Sequence, residues 1–250
     1  MNILLVNDDG IQAPGIRELY LAVKDLGDIT IVAPDGERSA IGHGITLDKP
    51  MPVRTVTVSE HKTGLAVDGT PADCVKLALS EICPVKPDLV ISGINLGSNT
   101  GLNVIYSGTV SGAAEAAFNH IPSFAVSLTT YNAPNWSPAR RITRTLVEKF
   151  IKHPLSGRQV LNVNVPNVKE DSLIRGVLAT EQGMAQWKEN FDKRIDPKGR
   201  TYYWMDGRKL EMEEPETKDD TAVKNNYISI TPLQFDLTAY NRLDEIKNWI

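Results

Sequence analysis

Cysteine is scarce in this chain: 250 residues hold two, Cys74 and Cys83. That excludes a disulfide-stapled scaffold and a thiolate metal cluster. Cys74 falls on the apolar face of a predicted helix, where a packed core thiol is preferred to a disulfide or a ligand. Charge of one sign is lacking too. The net charge is −4 with no run of Lys or Arg, so nothing favours electrostatic binding of a nucleic-acid duplex. No apolar stretch approaches the roughly 20 residues of a membrane span, and the opening Met-Asn-Ile-Leu-Leu-Val run is far too short for a signal peptide. The expectation is a cytoplasmic protein with no membrane partner. Two phosphate-binding signatures are missing as well. No Gly-Lys-Ser/Thr follows a glycine-rich loop, and the first strand leads into Asp-Asp-Gly, not G-x-G-x-x-G.

What is present is an alternation of short apolar runs with segments of helical period. Strands are predicted over 2–6, 29–33, 65–67, 89–91, 124–128 and 160–165. Helices are predicted where Ile16, Leu19, Tyr20, Val23 and Leu26 recur, and where Cys74, Val75, Ala78, Leu79 and Ile82 recur. Others follow around Val110, Ala113, Ala114, Ala117 and Phe118, and over 138–151. Thr70 is a plausible N-cap, with Pro71 at the first-turn position that tolerates a missing N–H. Strands without polar alternation belong in a parallel sheet covered on both faces. The pattern predicts an α/β fold, a Rossmann-like doubly wound and mostly parallel sheet, over residues 1–168. Residues 169–250 read as an extension of hairpins and a terminal helix, with strands over 173–180, 201–205 and 227–231. The acidic 211–220 stretch reads as a solvated loop. The last segment, with Leu243, Ile246, Trp249 and Ile250, is expected to dock on its own core or on a neighbour.

In such a sheet the carboxyl ends of the strands share one edge, and ligands bind there. Asp8 and Asp9 follow the first strand, Ser39 lies after the second, and Asn95 ends the strand that starts near 89. Two carboxylates, a hydroxyl and an amide carbonyl are hard oxygen donors, which suit Mg²⁺, Mn²⁺ or Ca²⁺ over zinc or copper. The alternative for Asp8 and Asp9 is a helix cap or a turn with Gly10. Ser107, Gly108 and Thr109 stand immediately before a helix, where free N–H groups and two hydroxyls suit a phosphate. Capping alone is the other reading there. His43, between two glycines, is either a general acid near Ser39 or part of a mobile turn. Arg194, Asp196, Tyr202, Tyr203 and Trp204 read as hairpin packing more readily than as a base-stacking platform.

Several of these stretches recur together in one family. Asn7-Asp8-Asp9-Gly10, Ala33-Pro34-Asp35 through Glu37-Arg38-Ser39-Ala40, and Asp68-Gly69-Thr70-Pro71-Ala72-Asp73-Cys74-Val75 carry the first half of the match. Ser92-Gly93-Ile94-Asn95-Leu96-Gly97 and Tyr106-Ser107-Gly108-Thr109-Val110 continue it. Arg194-Ile195-Asp196-Pro197, Tyr202-Tyr203-Trp204 and Ile230-Thr231-Pro232-Leu233 complete it. The sequence resembles the SurE survival proteins, the stationary-phase 5′/3′-nucleotidases, over nearly its whole length. The resemblance implies a Rossmann-like core, an extension used in homodimer or homotetramer contacts, and one divalent cation (Mg²⁺ or Mn²⁺) per subunit. It carries metal ligation onto Asp8, Asp9, Ser39 and Asn95, and phosphate binding onto Ser107, Gly108 and Thr109. It implies hydrolysis of nucleoside monophosphates, with short polyphosphate a further substrate of some members. One departure is Asn225-Asn226 before Tyr227, where a glycine is expected in a hairpin turn.

The chemistry expected is metal-assisted phosphomonoester hydrolysis, a phosphoric monoester hydrolase activity of the 5′-nucleotidase type, with Asp8, Asp9 and Asn95 at its centre. Asn95 is expected to serve the phosphate as well as the metal. Water and Asp8 are both open as nucleophile. A haloacid-dehalogenase-like site would require Asp-x-Asp after the first strand, which Asn7-Asp8-Asp9-Gly10 does not supply. The competing class is a metal and nucleotide sensor without turnover.

Overall fold

Residues 1–153, 158–210 and 212–250 are described by a computed structural model. The chain opens with β1 (Asn2–Val6), α1 (Pro14–Val23) and β2 (Asp28–Pro34), the two strands running parallel. β3 (Val53–Ser59) turns back antiparallel on β4 (Lys62–Val67), and β4 pairs parallel with β2. After α2 (Pro71–Leu77) the chain crosses to the other side of β1. There β5 (Leu89–Leu96), α3 (Gly108–Phe118), β6 (Ser123–Thr129), α4 (Trp136–Lys152) and β7 (Val160–Pro166) add parallel strands in sequence order. The order therefore reverses between β1 and β5. That is the topological switch point, where the loops at two adjacent carboxyl ends part and leave a crevice.

Alternation along the strands decides the layers. Ile3 and Leu5 of β1 point to one face, where they meet Ile16, Leu19 and Val23 of α1 and Leu146, Val147 and Phe150 of α4. Leu4 and Val6 point to the other, against Cys74, Val75 and Ala78 beside α2. Cys74 is a buried free thiol, as the sequence indicates, and burial pushes its pKa up. α2 begins with the expected cap: the Thr70 hydroxyl accepts from Asp73 N–H, the Asp73 carboxylate accepts from Thr70 N–H at 2.9 Å, and Pro71 follows.

The C-terminal third departs from the sequence reading. After a 3₁₀ turn at Asp171–Leu173 come β8 (Gly176–Ala179), β9 (Trp187–Ile195), β10 (Thr201–Lys209), α5 (Asp219–Lys224), β11 (Tyr227–Leu233) and α6 (Leu243–Lys247). Among the described residues of this third, only β9 and β10 form a hairpin. β11 instead lies between β7, to which it is antiparallel, and β8, to which it is parallel, so the sheet has the order β3-β4-β2-β1-β5-β6-β7-β11-β8. The reason is burial: Ile228, Ser229, Thr231 and Leu233 are covered only because β11 closes the free edge of β7. Of the acidic 211–220 segment, Glu211 lies outside the described residues, and Asp219 and Asp220 are buried where a solvated loop was expected. Asn225-Asn226 ends α5 and does not turn a hairpin. Asn226 takes φ +62°, the left-handed conformation that asparagine tolerates after a helix.

Candidate active site

Asn7, Asp8, Asp9 and Gly10 form a tight turn off the end of β1. The Asn7 amide donates to the Gly10 carbonyl at 2.8 Å. Gly10 has φ +96°, and a Cβ there would stand 2.9 Å from the Gly36 carbonyl carbon, so the position requires glycine. Neither aspartate caps α1, whose N-cap is Ala13, followed by Pro14 and without a side-chain cap. The capping alternative for Asp8 and Asp9 is thereby removed.

The carboxylates face the neighbouring loops. The Thr109 hydroxyl donates to Asp8 Oδ1 at 2.6 Å. A Cβ on Gly108 would stand 2.7 Å from Asp8 Cβ and 3.0 Å from Oδ2, so the first turn of α3 rests directly on Asp8. Ser107 is the N-cap of α3 and accepts from Val110 N–H at 3.1 Å. Its capping role is real, and it leaves the hydroxyl proton free to donate. The Leu96 backbone lies close enough to lower the Asp9 pKa in part, which sets Asp9 against the end of β5. Just there the β5–β6 register shifts between Ser92 and Asn95, an irregularity that re-aims side chains. Asn95 Nδ2 donates to Gly97 O at 2.9 Å, which leaves Asn95 Oδ1 as a lone-pair donor.

Ser39 is exposed on the segment after β2. Arg38 N–H donates to the Asp8 carbonyl at 2.8 Å and so ties this segment to the β1 turn. The Ser39 hydroxyl donates to Glu37 at 2.7 Å. The structure thus brings Asp8, Asp9, Asn95, Ser107, Gly108 and Thr109 to one crevice, with Ser39 on its border.

The electrostatics of that crevice are uncompensated. Burial raises the Asp8 carboxyl above its usual range, and the Thr109 hydrogen bonds only partly offset it. Burial and then the Asp8 charge push Asp9 up to about 7. Glu37 adds negative potential to both. Among the described residues no Lys, Arg or His pairs with either aspartate, and no three His, Cys, Asp or Glu side chains are grouped to hold a metal. The donors here are two carboxylates, an amide carbonyl and a hydroxyl, all hard oxygens, and such a set fits a hard divalent cation. A bound divalent cation would reverse the pKa logic of the pair.

His43 is placed elsewhere. Its Nε2 lies 3.0 Å from Glu115, and its ring stacks on Phe118 at 5.2 Å. Glu115 and Phe118 stand six to nine residues along α3 from Thr109, about 9–14 Å of helix. His43 therefore tethers the loop after Ser39 to α3. Arg194, Asp196, Tyr202, Tyr203 and Trp204 lie on or beside the β9–β10 arm, far along the chain from these loops, and the three aromatics are exposed instead of packed.

Two residues take roles that the sequence alone does not assign to them. Glu37 was part of a recognised motif but had no role until its charge was found beside Asp8 and Asp9. Asn99 is buried at a junction. Its N–H donates to Asn164 Oδ1 at 2.8 Å, its carbonyl accepts from Asn162 at 2.7 Å, and its amide donates to Ser127 at 2.8 Å. The signal was Asn162 and Asn164 alternating in the otherwise apolar β7, which aims both at one face.

A family model described as "Survival protein SurE" matches residues 3–189. The chain belongs to the SurE family. It is 47% identical over 251 residues to a protein of Heliobacterium modesticaldum named 5′-nucleotidase SurE, covering 100% of this chain and 92% of the relative. It is 48% identical to a protein of the same name from Pelotomaculum thermopropionicum, with 99% and 94% covered. The crystal structure of the SurE protein from Aquifex aeolicus superposes with a TM-score of 0.84 at 39% identity, over 100% of this chain and 99% of the other. That likeness covers the whole of this chain, beyond residue 189 where the family model ends.

Proposed function

We propose that this SurE-family chain is a divalent-metal-dependent 5′-nucleotidase, a phosphoric monoester hydrolase that converts nucleoside monophosphates to nucleoside and phosphate. The observation that carries this reading is the pairing of Asp8 and Asp9 at the β1/β5 switch point. Burial raises both carboxyls above their ordinary range, and the N-terminus of α3 rests against Asp8. The relatives named 5′-nucleotidase at 47% and 48% identity supply the substrate class.

In this reading Asp8, Asp9, Asn95 and Ser39 would hold the cation. When bound, that cation offsets the phosphate charge and supplies Lewis acidity. The chain's own groups do the rest. Thr109 holds Asp8 by its hydroxyl and fixes the orientation of that carboxylate. The Ser107 hydroxyl and the N–H groups that open α3 donate to the phosphate oxygens as charge develops, where the helix dipole favours an anion. Asn95, with one amide N–H held by Gly97, would turn its oxygen to the cation and its second N–H to the phosphate. Water is the proposed nucleophile: its oxygen bonds to phosphorus while the bond to the nucleoside oxygen breaks.

Two finer assignments belong here. Assembly into a homodimer or homotetramer is proposed for residues 169–250, with catalysis in 1–168. Cytoplasmic residence is proposed because both cysteines are free and, among the described residues, no helix is long and apolar enough to cross a membrane.

The test is phosphate release from AMP, an aryl phosphate and tripolyphosphate with Mn²⁺ or Mg²⁺, repeated with EDTA in ¹⁸O water. Release that EDTA abolishes, with ¹⁸O in the phosphate, is expected. An acyl phosphate trapped on Asp8 contradicts the direct-water route. Folded protein that binds nucleotide and never turns it over contradicts the enzyme.

A further inference from the structure

A nucleoside monophosphate held by its phosphate at the start of α3 sends its ribose and base out of the crevice, toward whatever stands on the rim. Two tyrosines stand exposed there. Tyr106 precedes the phosphate loop at 63% exposure, and Tyr131 follows β6 at 66%. They are held differently. Tyr106 is tied through its backbone, its carbonyl accepting from Gly42 N–H at 3.0 Å. Tyr131 is held by its ring. A Cβ at Gly97 would stand 2.7 Å from the Tyr131 hydroxyl oxygen and 2.8 Å from Cε1 and Cζ, so the ring lies directly on the Gly97 backbone. Gly97 also has φ +109°, so both its conformation and its space require glycine.

That seat is part of the site. The Gly97 carbonyl accepts the Asn95 amide at 2.9 Å. Leu96 between them has its backbone beside the Asp9 carboxylate. Asn95 and Gly97 are two residues apart, at most about 7 Å of extended chain, comparable to the reach of a ribose between its phosphate and its base. The ring is therefore anchored on the loop that carries Asn95, with most of its surface open to solvent. Among the described residues the Tyr131 hydroxyl has no hydrogen-bond partner, so no internal polar role accounts for its position.

We propose that Tyr131 is the platform on which the base of the nucleotide stacks, which makes it a specificity-determining residue for nucleotides over other phosphomonoesters. The assignment rests on the nucleotidase reading above. Stacking on an aromatic face tolerates every base, because each base has a π-face. The platform therefore favours nucleoside monophosphates as a class and discriminates little among them.

The test separates binding from turnover. Equilibrium dialysis with Mn²⁺ present measures Kd for AMP and for ribose 5-phosphate, which lacks a base, and phosphate release gives KM and kcat for both. Wild type is compared with Tyr131→Ala, Tyr131→Phe and Tyr106→Ala. Tyr131→Ala is expected to weaken AMP binding about tenfold, with KM rising in step and kcat moving less than about twofold. Its Kd for ribose 5-phosphate is expected to shift less than about twofold, and Tyr131→Phe to restore AMP binding. Equal losses for both ligands, no loss for AMP, or a loss confined to Tyr106→Ala overturns the proposal. If AMP binds and the Tyr131 difference appears without phosphate release, the nucleotidase reading fails and the Tyr131 assignment stands.

Discussion

At the scale of single residues, the Asp8–Asp9 pair carries a pH signature. The Asp9 carboxyl lies near 7 in the folded chain against an ordinary value of 3.8, and Asp8 is raised in the same sense. A carboxyl whose folded pKa is raised binds its proton more tightly folded than unfolded, so its contribution to stability is present at low pH. That contribution is lost as pH rises from about 4 to about 7. Thermal melts of metal-free protein should therefore show a decline in Tm across that window that is smaller in Asp9→Asn. Cation binding needs the ionised pair, so added Mn²⁺ should raise Tm more at pH 8 than at pH 5. A wild-type decline no steeper than that of Asp9→Asn, with a Mn²⁺ shift independent of pH, would count against the electrostatic account.

At the scale of elements, the loop that follows Asn95 is clamped from the far end of the chain. The Asp219 carboxylate accepts from Gly101 N–H and Gly183 N–H, each at 2.9 Å, and from Asp220 N–H at 2.8 Å. Lys209, at the base of the arm, pairs with Asp220 and donates to Thr100 at 2.9 Å and Ser98 at 3.1 Å. Asp219→Ala strands three buried N–H donors and should cost about 3 kcal/mol in urea unfolding with an unchanged m-value. A loss below about 1 kcal/mol would show that the clamp is dispensable. This clamp also marks where the sequence stops being legible. Thr70, Pro71 and Asp73 could be read as a cap because capping is local, and the strand ends bearing Asp8, Asp9 and Asn95 could be read because apolar runs announce buried parallel strands. Asp219 and Asp220 looked like part of a solvated charge run because Gly101 and Thr100, which they hold, lie 118 and 120 residues away. β3 and β9 carry polar and charged residues between their apolar ones and stay largely exposed, so no buried run betrayed them.

At the scale of the whole molecule, two features point outward. The β9–β10 arm exposes Trp187, Phe191, Tyr203 and Trp204, and α6 with the residues after it exposes Leu243, Ile246, Trp249 and Ile250. Exposed apolar groups in that density are typical of protein–protein contacts. Among the described residues the terminal helix joins no buried cluster of its own chain, and a neighbouring copy is its proposed seat. Removing residues after 235 should lower the mass found by light scattering while Mn²⁺ binding persists, and an unchanged oligomer would contradict the assignment. The switch-point carboxylates remain the centre of the account, and they can be tested with one comparison. Phosphate release from AMP in Mn²⁺ should fall by at least about a hundredfold in both Asp8→Asn and Asp9→Asn relative to wild type, as loss of a central charged group in an electrostatic site requires. Release at wild-type rates from either folded variant would contradict a site built on that pair.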